Sequence, residues 1–250
     1  MDPEKLNINF AEGEGVKELI IREVDKVVED KLPVLEPDTV SISGTISSIF
    51  AFLEKRWNAA DKQIDHSRTH ILVDRDHLQM TLIVNETDKR NRKKVVGTIA
   101  LSRQYKSFGI NEKDNWDPME LGDFFRINRT YFSSVEENMG LVNSLKSFRA
   151  KVQQNVERAE KEDGGKTDVF RQVVDSTLPK AFQICIPVFK GQAPSTIKLE
   201  IISHVHGREF ELELISADAA AIVEECRDKL FNEQIEKIQA LAPEIPIIEV

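Results

Sequence analysis

Glycine and proline are scarce, 11 and 9 of 250 residues, which excludes a collagen-like chain or one too rich in breakers to collapse. No apolar run approaches the roughly 18 residues that a membrane-spanning helix needs. Met1-Asp2-Pro3-Glu4-Lys5 is acidic and polar where a secretory signal is basic and then apolar, so a cytosolic location is the expectation. Only two cysteines occur, Cys185 and Cys226. They are too few for a disulfide framework, and their apolar neighbours predict reduced, buried thiols.

Catalytic signatures are missing as well. Neither cysteine stands beside a local base, and no Gly-x-Ser-x-Gly elbow occurs. Asp163-Gly164-Gly165-Lys166-Thr167 resembles the tail of a phosphate-binding loop, but its first glycine would fall at Glu160 and a helix, not a strand, precedes it, so a nucleotide-binding loop is rejected. The sequons Asn85-Glu86-Thr87 and Asn128-Arg129-Thr130 are expected to stay unmodified in a cytosolic chain.

What the chain has is an ordinary globular balance, 40% hydrophobic and 31% charged, at a length that suits one large or two small domains. Its charge is unevenly spread. The net charge is -9, yet residues 89–158 carry 14 Lys/Arg against 8 Asp/Glu, a local +6 that leaves -15 elsewhere. Such a bipolar chain can present an oriented basic surface to phosphate or to an acidic partner.

Periodicity divides the chain. Residues 1–13 read as an arm, followed by an amphipathic helix carrying Val16, Leu19, Ile20, Val24, Val27 and Val28. Pro33 and Pro37 mark a linker, so 1–37 is set apart as an N-terminal arm and helix and 38–250 as one domain. Thr39–Ile46 alternates as a strand, and Ser47 or Ser48 is placed to cap a helix presenting Ile49, Phe50, Leu53 and Trp57. Thr69–Asp74, Leu78–Glu86 and Lys94–Tyr105 read as a meander of strands. Asp117-Pro118-Met119-Glu120 has a helix-start pattern, Asp at the cap, Pro in the first turn and Glu three residues on, for a helix to about Tyr131. Ser134–Glu137 opens a long central helix whose apolar face is Val135, Met139, Val142, Leu145, Phe148, Val152 and Val156, stopped by Gly164-Gly165.

A second meander follows at Ala181–Phe189, Ser195–His204 and Arg208–Ile215, with His206-Gly207 as its tight turn. A C-terminal helix then starts at Asp218, buries Ile222, Val223, Cys226, Leu230, Ile238 and Leu241, and ends at Pro243. Segregated strands and helices predict an α+β fold: antiparallel meanders packed with amphipathic helices, in halves 38–132 and 178–250 joined by a helical segment 133–165.

The five histidines fall into two clusters, His66, His70 and His77, then His204 and His206, with Asp74 and Asp76 beside the first. A metal-dependent hydrolase is the weakest functional reading. Zinc needs three or four converging ligands, His66 and His70 would share a face only on a helix, and the Glu of a helical zinc-protease motif is absent. No metal ligand and no cofactor is therefore assigned.

The strongest local feature is Lys89-Arg90-Asn91-Arg92-Lys93-Lys94, five cations in six residues, placed between two strands where a hairpin tip projects. Paired cations there would displace counterions from a polyphosphate and give sequence-independent, salt-sensitive affinity. Lys89, Arg90, Arg92, Lys93, Lys94, Arg103 and Lys106 are the candidate nucleic-acid-binding residues. Arg126, Arg129, Lys146 and Arg149 would extend the patch, with Tyr105, Phe108 and Trp116 as stacking rings. The competing explanation is that a charged tip keeps a strand edge soluble.

Several blocks taken together resemble one family. Gly44-Thr45, Ser47-Ser48-Ile49 and Phe52, then His70-Ile71-Leu72-Val73-Asp74, Thr81-Leu82-Ile83-Val84 and Gly97-Thr98-Ile99-Ala100-Leu101, followed by Trp116, Glu120, Phe124-Phe125 and the Phe182–Phe189 segment with Pro187, are similar to the YfdQ-like family of phage and prophage proteins. The resemblance spans about residues 40–240, in blocks that are hydrophobic and structural. It implies a phage or mobile-element origin and action in the cytoplasm of a bacterial host, and it carries over no catalytic residue.

Together these features predict a non-enzymatic, homo-oligomeric phage or prophage accessory protein that binds nucleic acid in replication or recombination. The alternative is a protein-binding inhibitor of a host or anti-phage defence enzyme that uses the acidic remainder. No membrane partner is expected.

Overall fold

A computed structural model of the chain describes residues 40–59, 64–88, 91–113, 116–159, 178–206 and 209–250. The arm, helix and linker expected over residues 1–37, the Gly164-Gly165 stop and the turn glycine Gly207 lie outside the described residues. So do Lys89 and Arg90.

The fold is α+β. Strands β1 (Val40–Thr45), β2 (His70–Asp74), β3 (Gln79–Val84) and β4 (Lys93–Thr98) join a short C-terminal strand, β8 (Ile247–Glu249), in a sheet ordered β1-β4-β3-β2-β8. Strands β5 (Phe182–Ile186), β6 (Ser195–His206) and β7 (Glu209–Ile215) form a second, antiparallel sheet. The expected first meander exists as β2-β3-β4. It is not the whole sheet, because β1 adds to β4 and β8 adds to β2, both in parallel. Parallel neighbours need a crossover, and helix α1 (Ser47–Arg56) supplies one on the way from β1 to β2.

The three central strands of the five-stranded sheet, β2, β3 and β4, turn residues to one core. Ile71 and Val73, Met80, Leu82 and Val84, and Val95 line one face, covered by Ile49, Phe52 and Leu53 of α1, by Trp57 just after it, and by Phe231 and Ile238 of helix α5 (Ala219–Leu241). The second core is built from Phe182, Ile184, Ile186, Ile197, Leu199, Leu212 and Leu214 of the small sheet. Against them pack Phe108 of α2 (Arg103–Phe108), Leu121 and Phe125 of α3 (Pro118–Ile127), and Leu141, Val142, Leu145 and Phe148 of α4 (Val135–Ala159). Helix α5 serves both cores, through Ile222, Val223, Cys226 and Leu230 to one and Phe231 and Ile238 to the other. Each such side chain is worth about 1.5–3 kcal/mol when fully buried.

Several local expectations are corrected. The third strand stops at Thr98 instead of running to Tyr105, because Ser102 adopts extended dihedrals and its hydroxyl accepts from the Tyr105 amide, which starts α2. Gly109, at φ 58°, closes that helix in the left-handed conformation glycine tolerates. Ser47 and Ser48 do not cap α1: they lie inside it, Ile46 holds the cap position, and their hydroxyls contact Thr45 Oγ1 at 2.9 and 3.4 Å. Asp218 stands at the cap of α5 without a side-chain bond to it.

Asp117 does cap α3, accepting from the Met119 amide at 2.7 Å, though Glu120 makes no return bond among the described residues. That helix ends at Ile127, not Tyr131, and a 3-10 turn, Arg129–Tyr131, takes over. Ser134 accepts from the Glu137 amide at 3.0 Å and opens α4. Val135 and Met139 of α4, placed by periodicity on its buried face, are 53% and 58% exposed, because Asn138 occupies the inward position and donates to the Phe125 carbonyl. The side chains of Val152 and Val156 are not among those described. Cys185 is exposed, not buried, since β5 turns Phe182, Ile184 and Ile186 inward and Cys185 out. Cys226 is half-buried, its thiol 3.4 Å from the Ser195 hydroxyl.

Candidate nucleic-acid interface

The β3–β4 hairpin carries the described part of the cationic run. Val84 and Lys93 are its last paired residues, and the connection between them is shaped by two side chains. Asn85 sits at φ 55°, a left-handed conformation that asparagine accepts more readily than most residues. Its Oδ1 accepts from the Asp65 amide at 2.7 Å, and its Nδ2 donates to the Asn91 carbonyl at 3.4 Å. Asp88 accepts from the Asn91 amide and from Asn91 Nδ2 at 3.1 and 3.0 Å, which folds the loop back on itself.

Other elements meet the hairpin at this end of the sheet. The Glu86 amide donates to the Arg68 carbonyl at 2.9 Å, and Arg68 Nη1 donates to Thr87 Oγ1 at 2.9 Å. His66 stacks on Trp57 with ring centroids 3.7 Å apart and 9° between planes, and its Nε2 is 3.1 Å from the Trp57 carbonyl oxygen. These contacts bring the C-terminal turn of α1, with exposed Lys55 and Arg56, to the same end. Arg56 lies over the Phe52 ring, 4.4 Å from its centroid. Lys55, Arg56 and Arg68 were not legible as part of the patch, since only the β1–α1–β2 crossover brings them to the hairpin.

Four carboxylates of this end, Asp65, Glu86, Asp88 and Glu244, have local partners, while Glu54 in the last turn of α1 is exposed. Asp65 accepts from the Ser67 hydroxyl and amide at 2.6 and 3.0 Å and lies 3.5 Å from Arg68. The Ser67 hydroxyl foremost, with Arg68 and His66 adding charge attraction, holds its carboxyl below the usual range. Glu86 pairs with His70 at 3.1 Å and Glu244 with His66 at 3.5 Å. Arg92 and Lys94 are exposed, and neither has an ion-pair partner among the described residues. Lys93 is half-buried and has a polar partner.

The remaining sequence candidates do not join them. Arg103 and Lys106 are exposed on α2, beyond the far end of β4. The rise from Lys93 to Thr98 separates them from the tip by roughly 17 Å. Arg149 is engaged with Asp117 at 3.0 Å, and Arg126, Arg129 and Lys146 lie on the α3–α4 hairpin. The proposed stacking rings are corrected to core anchors. Phe108 is buried with Phe124 and Phe132 around it, Trp116 packs on Phe124 at 5.0 Å with its Nε1 buried, and Tyr105 leans on the same core. Burial pushes the Tyr105 phenol up.

The histidines are likewise dispersed. His77 bonds Asp74 at 2.8 Å and His204 bonds Glu213 at 2.8 Å, while His66 and His70 have the separate partners given above. Among the described residues no group of three or more His, Cys, Asp or Glu converges in a way that could hold a metal ion, and no helix is long and apolar enough to cross a membrane. No family model matches the chain, and neither a curated protein nor a solved structure does.

Proposed function

We propose that this chain binds nucleic acid through the β3–β4 hairpin end of its five-stranded sheet, as a non-enzymatic accessory protein of a phage or prophage in replication or recombination. The mobile-element setting rests on the resemblance of its sequence blocks. The binding rests on one observation: at the hairpin Asp65, Glu86 and Asp88 are engaged locally while Arg92 and Lys94 stand exposed without an ion-pair partner among the described residues. These two cations stand at the end of the sheet that Lys55, Arg56 and Arg68 also reach, Lys94 on the face away from α1, and a phosphate backbone can be met there by a chain whose net charge of -9 repels polyanions elsewhere. Apart from His66, no ring is exposed at this end among the described residues, which favours backbone contact over base stacking.

Titration of a labelled duplex with the full chain at several salt concentrations tests this. Binding at low salt is expected to weaken steeply as salt rises. Arg92→Ala combined with Lys94→Ala is expected to reduce affinity and to lower the slope of log affinity against log salt by about 2, near 0.9 for each phosphate no longer neutralised. Arg103→Ala with Lys106→Ala, a strand's length away, is expected to change neither. No shift at low salt, or a shift indifferent to the first pair, overturns the proposal.

A further inference from the structure

An exposed strand edge carries unpaired amides and carbonyls in a row, and proteins blunt such edges with charge, proline, bulges, short length or a covering segment. Among the described residues the sheet edges of this chain are treated unequally. β8 is three residues long. The β7 edge is met by Trp116, whose amide and carbonyl both bond Leu212, and by the Asn111 amide bonded to the Leu214 carbonyl. The β5 edge is bridged by Phe132 at Ile184.

β1 has none of these devices. It runs Val40-Ser41-Ile42-Ser43-Gly44-Thr45 without a charge, a proline or a bulge, and pairs in parallel with β4 through all six residues. Its side chains are exposed on both faces apart from Gly44, and Val40 and Ile42 remain 43% and 38% exposed on the face that carries α1. Among the described residues no strand or loop pairs with its outer edge.

We propose that β1 is a dimerisation edge, pairing antiparallel with β1 of a second copy to make one continuous ten-stranded sheet. A row of backbone donors and acceptors is satisfied by another strand, and an uncharged strand is a fitting partner for itself in an isologous, closed contact. Residues opposite each other across a two-fold axis normal to the sheet share a face. Ile42 then meets the apolar positions of the other copy, and Ser41 and Ser43 meet its serines. Symmetry selects the antiparallel direction, because a two-fold axis normal to the sheet reverses the strand it maps onto its copy.

The mass of the full chain in solution, by light scattering or sedimentation equilibrium at micromolar concentration, reads this directly. The expected value is twice the 28.5 kDa chain mass. Ile42→Lys and Ser41→Lys, which set like charges across the two-fold, are each expected to halve it with an unchanged circular dichroism spectrum. If Ile42→Lys disturbs the fold, Ser41→Lys, whose side chain lies on the face away from α1, carries the test alone. Gln183→Lys, an equally exposed position on β5, is expected to leave the dimer intact. A monomeric wild-type chain, an oligomer that survives both edge substitutions, or one that Gln183→Lys dissociates equally overturns the proposal.

Discussion

Single residues in this chain hold close approaches that only their side-chain size permits. Gly97 of β4 is the clearest. A Cβ there would meet Ile46 Cα at 2.8 Å and the Thr45 carbonyl oxygen at 2.9 Å, both backbone atoms of the turn into α1. That turn is also where the Ile46 amide donates to the Thr98 carbonyl at 3.2 Å. Gly97→Ala is therefore expected to cost about 1–3 kcal/mol, the range for overfilling a packed site. Gly140, inside α4, faces open space, so Gly140→Ala is expected to stabilise by about 0.5–1 kcal/mol through helix propensity alone. Urea denaturation of the two variants checks the opposite signs. If both shift the midpoint the same way, the close approach at Gly97 does not govern. The sequence shows both glycines alike, because proximity to the β1–α1 turn depends on a strand pairing across more than forty residues.

At the scale of elements, what could be read from the sequence is what is local. Asp117-Pro118 and Ser134 announced their helices because a cap bonds an amide two or three residues away. The Asp117 cap carries a second contact that the sequence hides, the ion pair with Arg149 on α4. Asp117→Ala is expected to cost about 1 kcal/mol through the cap. An exposed ion pair adds roughly 0–1 kcal/mol, so Arg149→Ala alone costs less, and the double variant measures the coupling between α3 and α4. A double-mutant cycle in thermal unfolding reads it, and strict additivity would show that Arg149 does not tie the helices.

Other features depended on distant neighbours. β8 escaped notice because three residues after a proline carry no period, and it exists only because β2 offers a parallel edge. The exposure of Val135 and Met139 follows from Asn138 bonding the preceding helix, which overrides the apolar stripe. The hairpin position of Arg92 and Lys94 was legible from the strands on either side. Lys55, Arg56 and Arg68 were not, since topology alone brings them there.

Across the whole molecule, distant ends are fastened by charge. Arg75, in the β2–β3 turn, reaches Glu249 of β8 at 2.9 Å and Asn232 and Asp228 of α5 at 3.0 and 3.2 Å, with its guanidinium 5.5 Å from the Phe231 ring centroid. Asp228 is also bonded by Arg227 at 2.9 Å. The Arg227 guanidinium first, and Arg75 after it, hold the Asp228 carboxyl below its ordinary range. Asp74 is lowered by the His77 backbone amide and then its ring, and Asp65 by Ser67. In each case the folded chain binds a proton less readily than the unfolded one, so the stabilisation is complete above the unfolded carboxyl value, about pH 4, and is lost as pH falls through the lower folded values. The midpoint of urea unfolding is thus expected to fall as the pH drops from about 4 towards 3. Asp228→Asn keeps the side chain's shape and removes its titration, so the variant is expected to be less stable at neutral pH yet to lose less on acidification. Because these carboxylates are substantially exposed, the difference between the curves should stay within about 1 kcal/mol. Parallel curves for wild type and Asp228→Asn across that window would show that the Arg75–Asp228 fastening between the β2–β3 turn and α5 adds nothing to the stability of the fold.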